Sequence, residues 1–416
     1  MRFGAAEMYL AWFAASLFYY YQYILRVAPN VLGHDMRIEF GITADQFASL
    51  GSLYLLAYSL MQIPLGILTD KIGVRRMVII SIIGCILGGL LFARTEIFAI
   101  TQFSRILIGA SSAAALMCAL KLIADEFPLG KRGILMGITL TMGTAGAMSS
   151  KKFVEGLGQE WGWRDASLFS VVLGVIMLIL SIALIPRTKT KLQDVHKQHE
   201  GSMYETLMSI MKHRYIMTYA VIAIGLYSPL AVFGDLWGGS FLSRKFSLAE
   251  SEATSASLLL YFGLGIGSIV IPWYGEKFKI INELIIVCSV GILGTLSLLV
   301  YGPAFDLQTL KMIMIAIGVF GGAEMLCFTA ALQYSKVTNS GEIIGVVNTL
   351  NMLGAAALAQ VVGALLDYKW AGKFVDHTNY YSASDYVDSM LPITVTIGIC
   401  VAVSLTLLYK GKEVKS

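Results

Sequence analysis

The chain is a succession of apolar stretches of about 20 residues or more, separated by short polar loops. A helix needs roughly 20 apolar residues to cross a bilayer, and a helix satisfies all of its backbone N–H and C=O groups internally. Composition agrees, because 14% of the residues are charged, whereas a soluble domain carries about a quarter. We therefore predict an all-α membrane protein with twelve spans, at 8–32, 44–68, 77–94, 98–126, 133–155, 166–186, 215–241, 254–274, 281–302, 309–334, 342–367 and 390–409.

A polar interval divides these spans into two sets of six. We predict an N-terminal six-helix bundle at 1–186, a cytoplasmic linker at 187–214 and a C-terminal six-helix bundle at 215–416. Lysine and arginine collect in the loops on one side of the spans, which is typical of the cytoplasmic side. We expect a multi-pass protein of the cytoplasmic (inner) membrane, embedded in the lipid bilayer, with both termini in the cytoplasm.

The two halves repeat one another at nearly constant spacing. Three matches occur in chain order, namely Asp70 with Glu276 (206 positions apart), Gly109 with Gly318 (209) and Gly143 with Gly354 (211). Repeated halves, with the solute bound near the bilayer midplane between them, are a recurring design of secondary transporters. The pattern therefore favours a duplicated six-helix unit.

Other classes of protein find little support. A net charge of +4 without a long basic run gives no reason to expect a nucleic-acid partner. The five cysteines lie in apolar segments without a CxxC pair, and the five histidines lie at span ends or in loops, so we expect no metal site and no cofactor. An enzyme would need a nucleophile, a base or a metal set, and none stands at the expected spacings. We expect no enzymatic activity.

The loop between spans 2 and 3 carries the sharpest motif, at 66–76, where Gly73 suits a tight turn and two arginines suit a cytoplasmic loop. The motif resembles the loop signature of the major facilitator superfamily, Gly-x-Leu-x-Asp-Arg/Lys-x-Gly-x-Arg/Lys-Arg/Lys. The resemblance implies a gating loop made by Gly66, Asp70, Lys71, Gly73, Arg75 and Arg76. A purely topogenic basic loop is the alternative. The second-half copy at 272–277 lacks the following glycine and arginine pair.

Further stretches resemble elements of the same superfamily. Arg105 and Gly109 in span 4 match an Arg-x-x-x-Gly element associated with proton-linked carriers, which implies a proton-coupling role for Arg105. The stretch 236–239 in span 7 resembles a Leu-Trp-x-Gly element and places Trp237 among the substrate-binding candidates. The stretch 23–31 resembles a proteobacterial branch similar to intraphagosomal amino-acid carriers and lysosomal dipeptide carriers. The resemblance implies the major facilitator fold, with two pseudo-symmetric bundles, and a monomer.

Charged residues inside spans are costly in lipid and are functional candidates by default. The first half contributes cations and the second half carboxylates, namely Arg26, Arg105, Lys121, Lys151 and Lys152 against Asp235 and Glu324. A zwitterion would suit both sets, whereas an anionic substrate would use the cations and leave a carboxylate for protons. Because burial disfavours a charged carboxyl group, Glu324 is the first candidate for the proton site and Asp235 the second.

Each of these assignments has an alternative. Arg26 and Lys121 can extend to the lipid head groups, and Glu324 can form a structural pair with a lysine. Tyr23 belongs either to the substrate site or to an interfacial aromatic belt. Asn348 and Asn351 share a face of span 11, where they either bind substrate or join helices.

We expect a proton-coupled secondary transporter of a small zwitterion, an amino acid or short peptide. The alternative is an organic-anion carrier for a siderophore-type polycarboxylate or a sugar phosphate. A channel would need neither the loop signature nor the repeat.

Overall fold

The computed structural model describes residues 4–127, 129–150, 161–187, 208, 210–332, 340–375 and 378–410. Within these residues the chain forms twelve helical spans, which confirms the predicted all-α membrane fold. Nine of the described stretches are both long and apolar enough to cross a bilayer. The first six spans are Ala5–Phe40, Ala44–Ile72, Val74–Arg94, Phe98–Ser112 with Ala114–Glu126, Leu129–Ser150 and Trp163–Leu184. The last six are Arg214–Phe246, Glu250–Phe278, Ile281–Tyr301, Leu307–Gly321 with Glu324–Leu332, Ser340–Lys369 and Leu391–Lys410.

Spans 4 and 10 are interrupted near their middles, which the sequence analysis did not predict. Span 4 breaks at Ala113, and span 10 breaks between Gly321 and Glu324. The break in span 10 begins within the glycine pair Gly321–Gly322, and glycine weakens a helix interior by about 0.5–1 kcal/mol relative to alanine. Because Ala113 and Gly322 are 209 positions apart, the two breaks fall at the same point of the sequence repeat.

Span 7 changes helix type in its middle. Arg214–Pro229 and Gly238–Phe246 are α-helical, whereas Leu230–Trp237 between them form a π-helix. Pro229 has no backbone N–H to continue the regular ladder of hydrogen bonds at this point. Turns of π-helix are rare and occur frequently at functional sites, and this one contains Asp235.

The connection between spans 11 and 12 has its own structure. Two short strands, β1 (Phe374–Val375) and β2 (Thr378–Asn379), pair antiparallel. A short helix, Ala383–Ser389, then begins with a capping box between Ser382 and Asp385, which satisfies two backbone donors at its start.

The chain divides into two compact units. Unit 1 consists of residues 1–28 and 53–206, and unit 2 of residues 29–52 and 207–416, as far as each is described. The segment that ends span 1 and begins span 2 thus belongs to unit 2, although the predicted domain boundary lies at 186. Most of the predicted linker, 187–214, lies outside the described residues.

The repeat seen in the sequence recurs as a repeated packing contact. In unit 1, a Cβ atom on Gly109 would overlap the backbone carbonyl oxygen of Tyr54. In unit 2, a Cβ atom on Gly318 would overlap the backbone carbonyl oxygen of Leu260. These pairs differ by 209 and 206 positions, the offsets found in the sequence, so each unit packs its second and fourth spans in the same way.

Candidate functional site

Unit 1 contains a buried arginine–tyrosine cluster, defined by Tyr19, Tyr23, Arg26, Tyr54, Tyr58 and Arg105. Arg26 is 4% exposed, and its guanidinium lies 5.3 Å from the centre of the Tyr23 ring. It also interacts electrostatically with the hydroxyl groups of Tyr54 and Tyr58, whose rings stack 6.1 Å apart. Arg26 is therefore a cation enclosed by phenol groups within unit 1.

Tyr23 is held from two sides. Its ring meets that of Tyr19 edge to face at 5.1 Å, and the Tyr19 hydroxyl donates to the Tyr23 hydroxyl at 3.4 Å. Gly143 of span 5 admits both rings, because a Cβ atom there would lie 2.5 Å from Tyr19 and 2.9 Å from Tyr23. Tyr23 thus has a fixed orientation beside Arg26.

Arg105 is bound to the backbone of span 1. It is 1% exposed and donates to the carbonyl groups of Leu25 at 2.7 Å and Arg26 at 3.1 Å. Pro29 lies inside the same helix and lacks the N–H that would otherwise bond to the Leu25 carbonyl, four residues before it. Arg105 also covers the Tyr54 ring at 4.7 Å. The structure thus gives Arg105 a positioning role, and its role in proton coupling remains a prediction.

The sequence identified Tyr23, Arg26 and Arg105 as site candidates but not the cluster members Tyr19, Tyr54 and Tyr58, nor the neighbouring Gln22. Gln22 is fully buried, one helical turn before Arg26, and donates to the Tyr54 hydroxyl. The spacing of four residues on one helix places Gln22 and Arg26 on the same face, and that signal could have identified Gln22. Tyr54 belongs to another span, and its contact with Gln22 has no local signal in the sequence.

The other predicted cations lie elsewhere. Lys121 forms an ion pair with Asp125 at 3.5 Å on the same helix, and its side chain is 31% exposed. Lys151 and Lys152 lie outside the described residues.

The loop between spans 2 and 3 is anchored by its glycines and by an arginine. Gly73 has φ +83°, in the region that glycine adopts most readily, and Gly66 lies against Met117. Arg75 donates to the carbonyl of Ile185 at the end of span 6, where a cation is favoured by the helix dipole. Arg76 is exposed. The side chains of Asp70 and Lys71 are not among those described.

In unit 2 the π-helix presents Asp235 to span 8. Asp235 is 3% exposed and accepts a hydrogen bond from the hydroxyl group of Tyr261. Trp237 is fully buried, packs edge to face on Phe47 at 5.3 Å and donates to the carbonyl of Ala359 at 3.4 Å. Trp237 is therefore a core residue of unit 2, and its contact with substrate remains a prediction.

Glu324 begins the second half of span 10, directly after the break. It is 4% exposed, and its Oε1 accepts a hydrogen bond from Asn351 of span 11, which is fully buried. Glu324 also lines a cavity of about 10 Å³ together with Tyr227 of span 7, which is room for one water molecule. Asn348, the other predicted asparagine, is half-buried one turn earlier.

Among the described residues, no three His, Cys, Asp or Glu side chains are close enough together to hold a metal ion. The five cysteines are buried and free.

Solved structures with this arrangement include a bacterial homologue of the human lysosomal transporter Spinster. The unoccupied and occupied inward-facing forms of that protein superpose on the chain with TM-scores of 0.73 and 0.70, at 16% identity and with 97% of both chains covered. The likeness shows the fold.

Sequence relatives are named as transporters. They include a "Probable L-galactonate transporter" of Escherichia coli (strain K12), 30% identical over 180 residues, which are 43% of this chain and 38% of that protein. A "Probable sulfoacetate transporter" of Cupriavidus necator is 28% identical over 39% of this chain and 37% of its own length. A "Probable galactarate/D-glucarate transporter" of Escherichia coli (strain K12) is 27% identical over 39% and 38%. The chain thus matches less than half the length of these relatives.

The family model of the major facilitator superfamily matches residues 8–359. The chain therefore belongs to the major facilitator superfamily, as its loop motif implied.

Proposed function

We propose that the protein is a proton-coupled carrier of a small organic acid and that Arg26 binds the carboxylate of the substrate. The observation that carries the proposal is the burial of Arg26, 4% exposed, inside a membrane span among tyrosine rings. A guanidinium group offers five donors in a planar fork that matches a carboxylate. Ionisable residues inside membrane spans are rare and mark substrate or ion pathways.

The names of the relatives support an organic acid. Three of them are named for sugar acids or for sulfoacetate, and all of these solutes carry a carboxylate. This puts the organic-anion alternative ahead of the amino acid that the sequence first suggested. An amino acid or short peptide is the second candidate, because the buried carboxylates Asp235 and Glu324 of unit 2 would suit an ammonium group.

Glu324 is our candidate for the proton site. It is buried at the first residue of a helix and lies beside a cavity with room for one water molecule. Burial disfavours the charged form of a carboxyl group, whereas a helix start and a donated hydrogen bond favour it. These opposing effects suit a group that gains and loses a proton during each cycle. We further propose a monomer in the inner membrane with both termini in the cytoplasm.

Ligand-induced thermal stabilisation of the purified protein in detergent tests the substrate class. We expect L-galactonate, D-glucarate or sulfoacetate to raise the melting temperature, since a ligand at 100 times its Kd stabilises the folded state by about 2.7 kcal/mol. Arg26→Gln should abolish the shift. The matched control is Arg164→Gln. Arg164 also belongs to unit 1 but lies outside the cluster, and its guanidinium donates to the carbonyl of Thr95.

The outcomes separate the two candidates. Stabilisation by amino acids or dipeptides alone would favour the second candidate. Stabilisation that persists in Arg26→Gln would show that another group holds the carboxylate. Uptake into proteoliposomes tests the proton site, since Glu324→Gln should abolish uptake driven by a pH gradient while exchange of substrate across the membrane continues.

A further inference from the structure

Asn351 is fully buried, yet only one of its two polar atoms has a partner in the part of the chain that the structure describes. Its Nδ2 donates to Glu324 Oε1, whereas its Oδ1 is shielded from solvent and accepts no hydrogen bond there. A buried acceptor without a donor costs free energy. An apolar side chain of similar size would avoid that cost, so the second polar atom of Asn351 calls for an explanation.

The carboxamide group of Asn351 can exchange the positions of its donor and its acceptor by rotation. The χ2 torsion of asparagine has a broad, roughly two-fold profile, so a half turn exchanges the positions of Nδ2 and Oδ1. The Glu324 carboxylate needs a donor, which Nδ2 supplies in the structure. A protonated Glu324 would carry an O–H group and need an acceptor, which Oδ1 would supply after the half turn.

We infer that Asn351 is a two-state positioning residue for the proton site, donating to Glu324 when it is charged and accepting from it when it is protonated. This inference rests on the proposed role of Glu324. A proton arrives from water and forms an O–H bond on the carboxylate of Glu324, and the hydrogen bond reverses direction. Asn351 neither gains nor loses a proton. The acceptor that lacks a partner in the structure is then the one that the protonated state uses.

The surroundings of Glu324 allow this exchange. The adjacent cavity, about 10 Å³, has room for the one water molecule that would deliver the proton. Around it span 8 contributes Leu260 and Leu264, which do not titrate, and span 7 contributes Tyr227.

Thiol groups also lie near Glu324. On its own helix Cys327 interacts electrostatically with Glu324, and Cys288 of span 9 and Cys400 of span 12 interact with Cys327. The carboxyl group that lines the cavity is that of Glu324.

Infrared difference spectroscopy against pH tests the inference on the wild-type protein. The sample is purified chain labelled with ¹³C at the asparagine carboxamide, of which the chain has six. We expect acidification to produce a protonated-carboxyl band that is lost in Glu324→Gln. We also expect a labelled carboxamide C=O band to move to lower frequency with the same midpoint, because Oδ1 begins to accept a hydrogen bond. Both signals should be absent in Glu324→Gln, and the carboxamide signal alone should be absent in Asn351→Leu.

The control variant is Thr295→Val, which removes another polar group that bonds within its own span and should leave both bands unchanged. If the carboxyl band titrates and no labelled carboxamide band moves with it, Asn351 is only a fixed donor and the inference is wrong. If Glu324→Gln removes no carboxyl band, the proton site itself is wrong, and the proposed function fails at that point. Because the labelled wild type and Glu324→Gln suffice for both decisions, the test does not depend on the folding of Asn351→Leu.

Discussion

Arg105 donates a 2.7 Å hydrogen bond to the carbonyl of Leu25, the group that Pro29 leaves without its helical donor. A proline inside a helix removes one backbone hydrogen bond. The bilayer core contains no water that could donate a hydrogen bond to the freed carbonyl, so a donor within the protein must do so. The geometry of span 1 next to Arg26 therefore depends on a side chain of span 4.

This relationship predicts a double-mutant result. Arg105→Leu should lower the free energy of unfolding in detergent micelles by about 3 kcal/mol, because a charged donor is lost and a buried acceptor is left without a partner. In a Pro29→Ala background the new N–H at position 29 can bond to Leu25, so the same substitution should cost roughly 1 kcal/mol less. Equal costs in the two backgrounds would show that Arg105 does not compensate for the proline.

The matched glycines of spans 4 and 10 provide a second prediction. Gly109→Ala and Gly318→Ala should each destabilise the protein by about 1–3 kcal/mol, because the added methyl group would overlap a backbone carbonyl of span 2 or span 8. Gly294→Ala and Gly398→Ala are the controls, since a Cβ atom at either position meets nothing within 4 Å. The controls should be neutral or gain about 0.5–1 kcal/mol, as alanine is the better helix former.

Thermal melting of the four variants checks this prediction. Similar melting temperatures for the Gly318→Ala and Gly294→Ala proteins would contradict the close packing of spans 8 and 10. If the melting temperature falls in only one of Gly109→Ala and Gly318→Ala, the two positions match in sequence but do not contribute equally to the packing of the two units.

Features of the fold that depend on local sequence are predictable, whereas features that depend on contacts between distant residues are not. Span positions are predictable because each span must be apolar along its own length. The breaks at Ala113 and after Gly321 are not predictable in this way, since the hydropathy of a span does not show where its helix is interrupted and the interruption depends on packing. The repeat offset, however, correctly indicated that Gly109 and Gly318 occupy equivalent positions.

The candidate site shows the same division. Arg26 and Glu324 stand out because a charge in an apolar stretch is visible in the sequence. Their partners lie on other spans. Arg26 of span 1 interacts with Tyr54 and Tyr58 of span 2, and Glu324 of span 10 accepts a hydrogen bond from Asn351 of span 11. No local sequence pattern encodes such contacts. The ion pair of Lys121 with Asp125 is local, with a spacing of four residues, and could have been predicted from helical geometry.

The start of span 2 supplies a third prediction, which concerns only unit 2. Asp367 of span 11 accepts hydrogen bonds from the backbone N–H groups of Ala44 at 3.0 Å and Asp45 at 2.6 Å, and from the hydroxyl of Tyr381. Burial, followed by the hydrogen bond to Asp367, raises the pKa of Tyr381, so its hydroxyl remains a donor at physiological pH. The carboxylate of Asp367 thus caps a helix start from another span.

Asp367→Ala should lower the free energy of unfolding by about 1–2 kcal/mol, the range for loss of a helix cap. Asp388→Ala is the matched control, because Asp388 of the short helix forms an exposed ion pair with Lys369, the last residue of span 11, and exposed pairs contribute little. Its melting temperature should equal that of the wild type. If Asp367→Ala and Asp388→Ala lower the free energy of unfolding equally, the helix cap formed by Asp367 does not stabilise the protein more than the exposed ion pair does.

The π-helix of span 7 leads to the last prediction, which separates charge from shape at Asp235. Asp235→Asn keeps an oxygen that accepts the hydrogen bond from Tyr261, so the melting temperature should stay near that of the wild type. Uptake of the stabilising organic acid into proteoliposomes should nevertheless fall at least about tenfold, a barrier change of roughly 1.4 kcal/mol, because the charge is lost.

Tyr261→Phe should do the reverse, keeping the charge but lowering the free energy of unfolding by about 1–3 kcal/mol through the loss of a buried donor. Tyr301→Phe, at an exposed residue, is the control for the loss of a hydroxyl group. Unchanged uptake in Asp235→Asn, together with a lower melting temperature, would make Asp235 a structural residue and leave Glu324 as the single carboxylate proposed for transport.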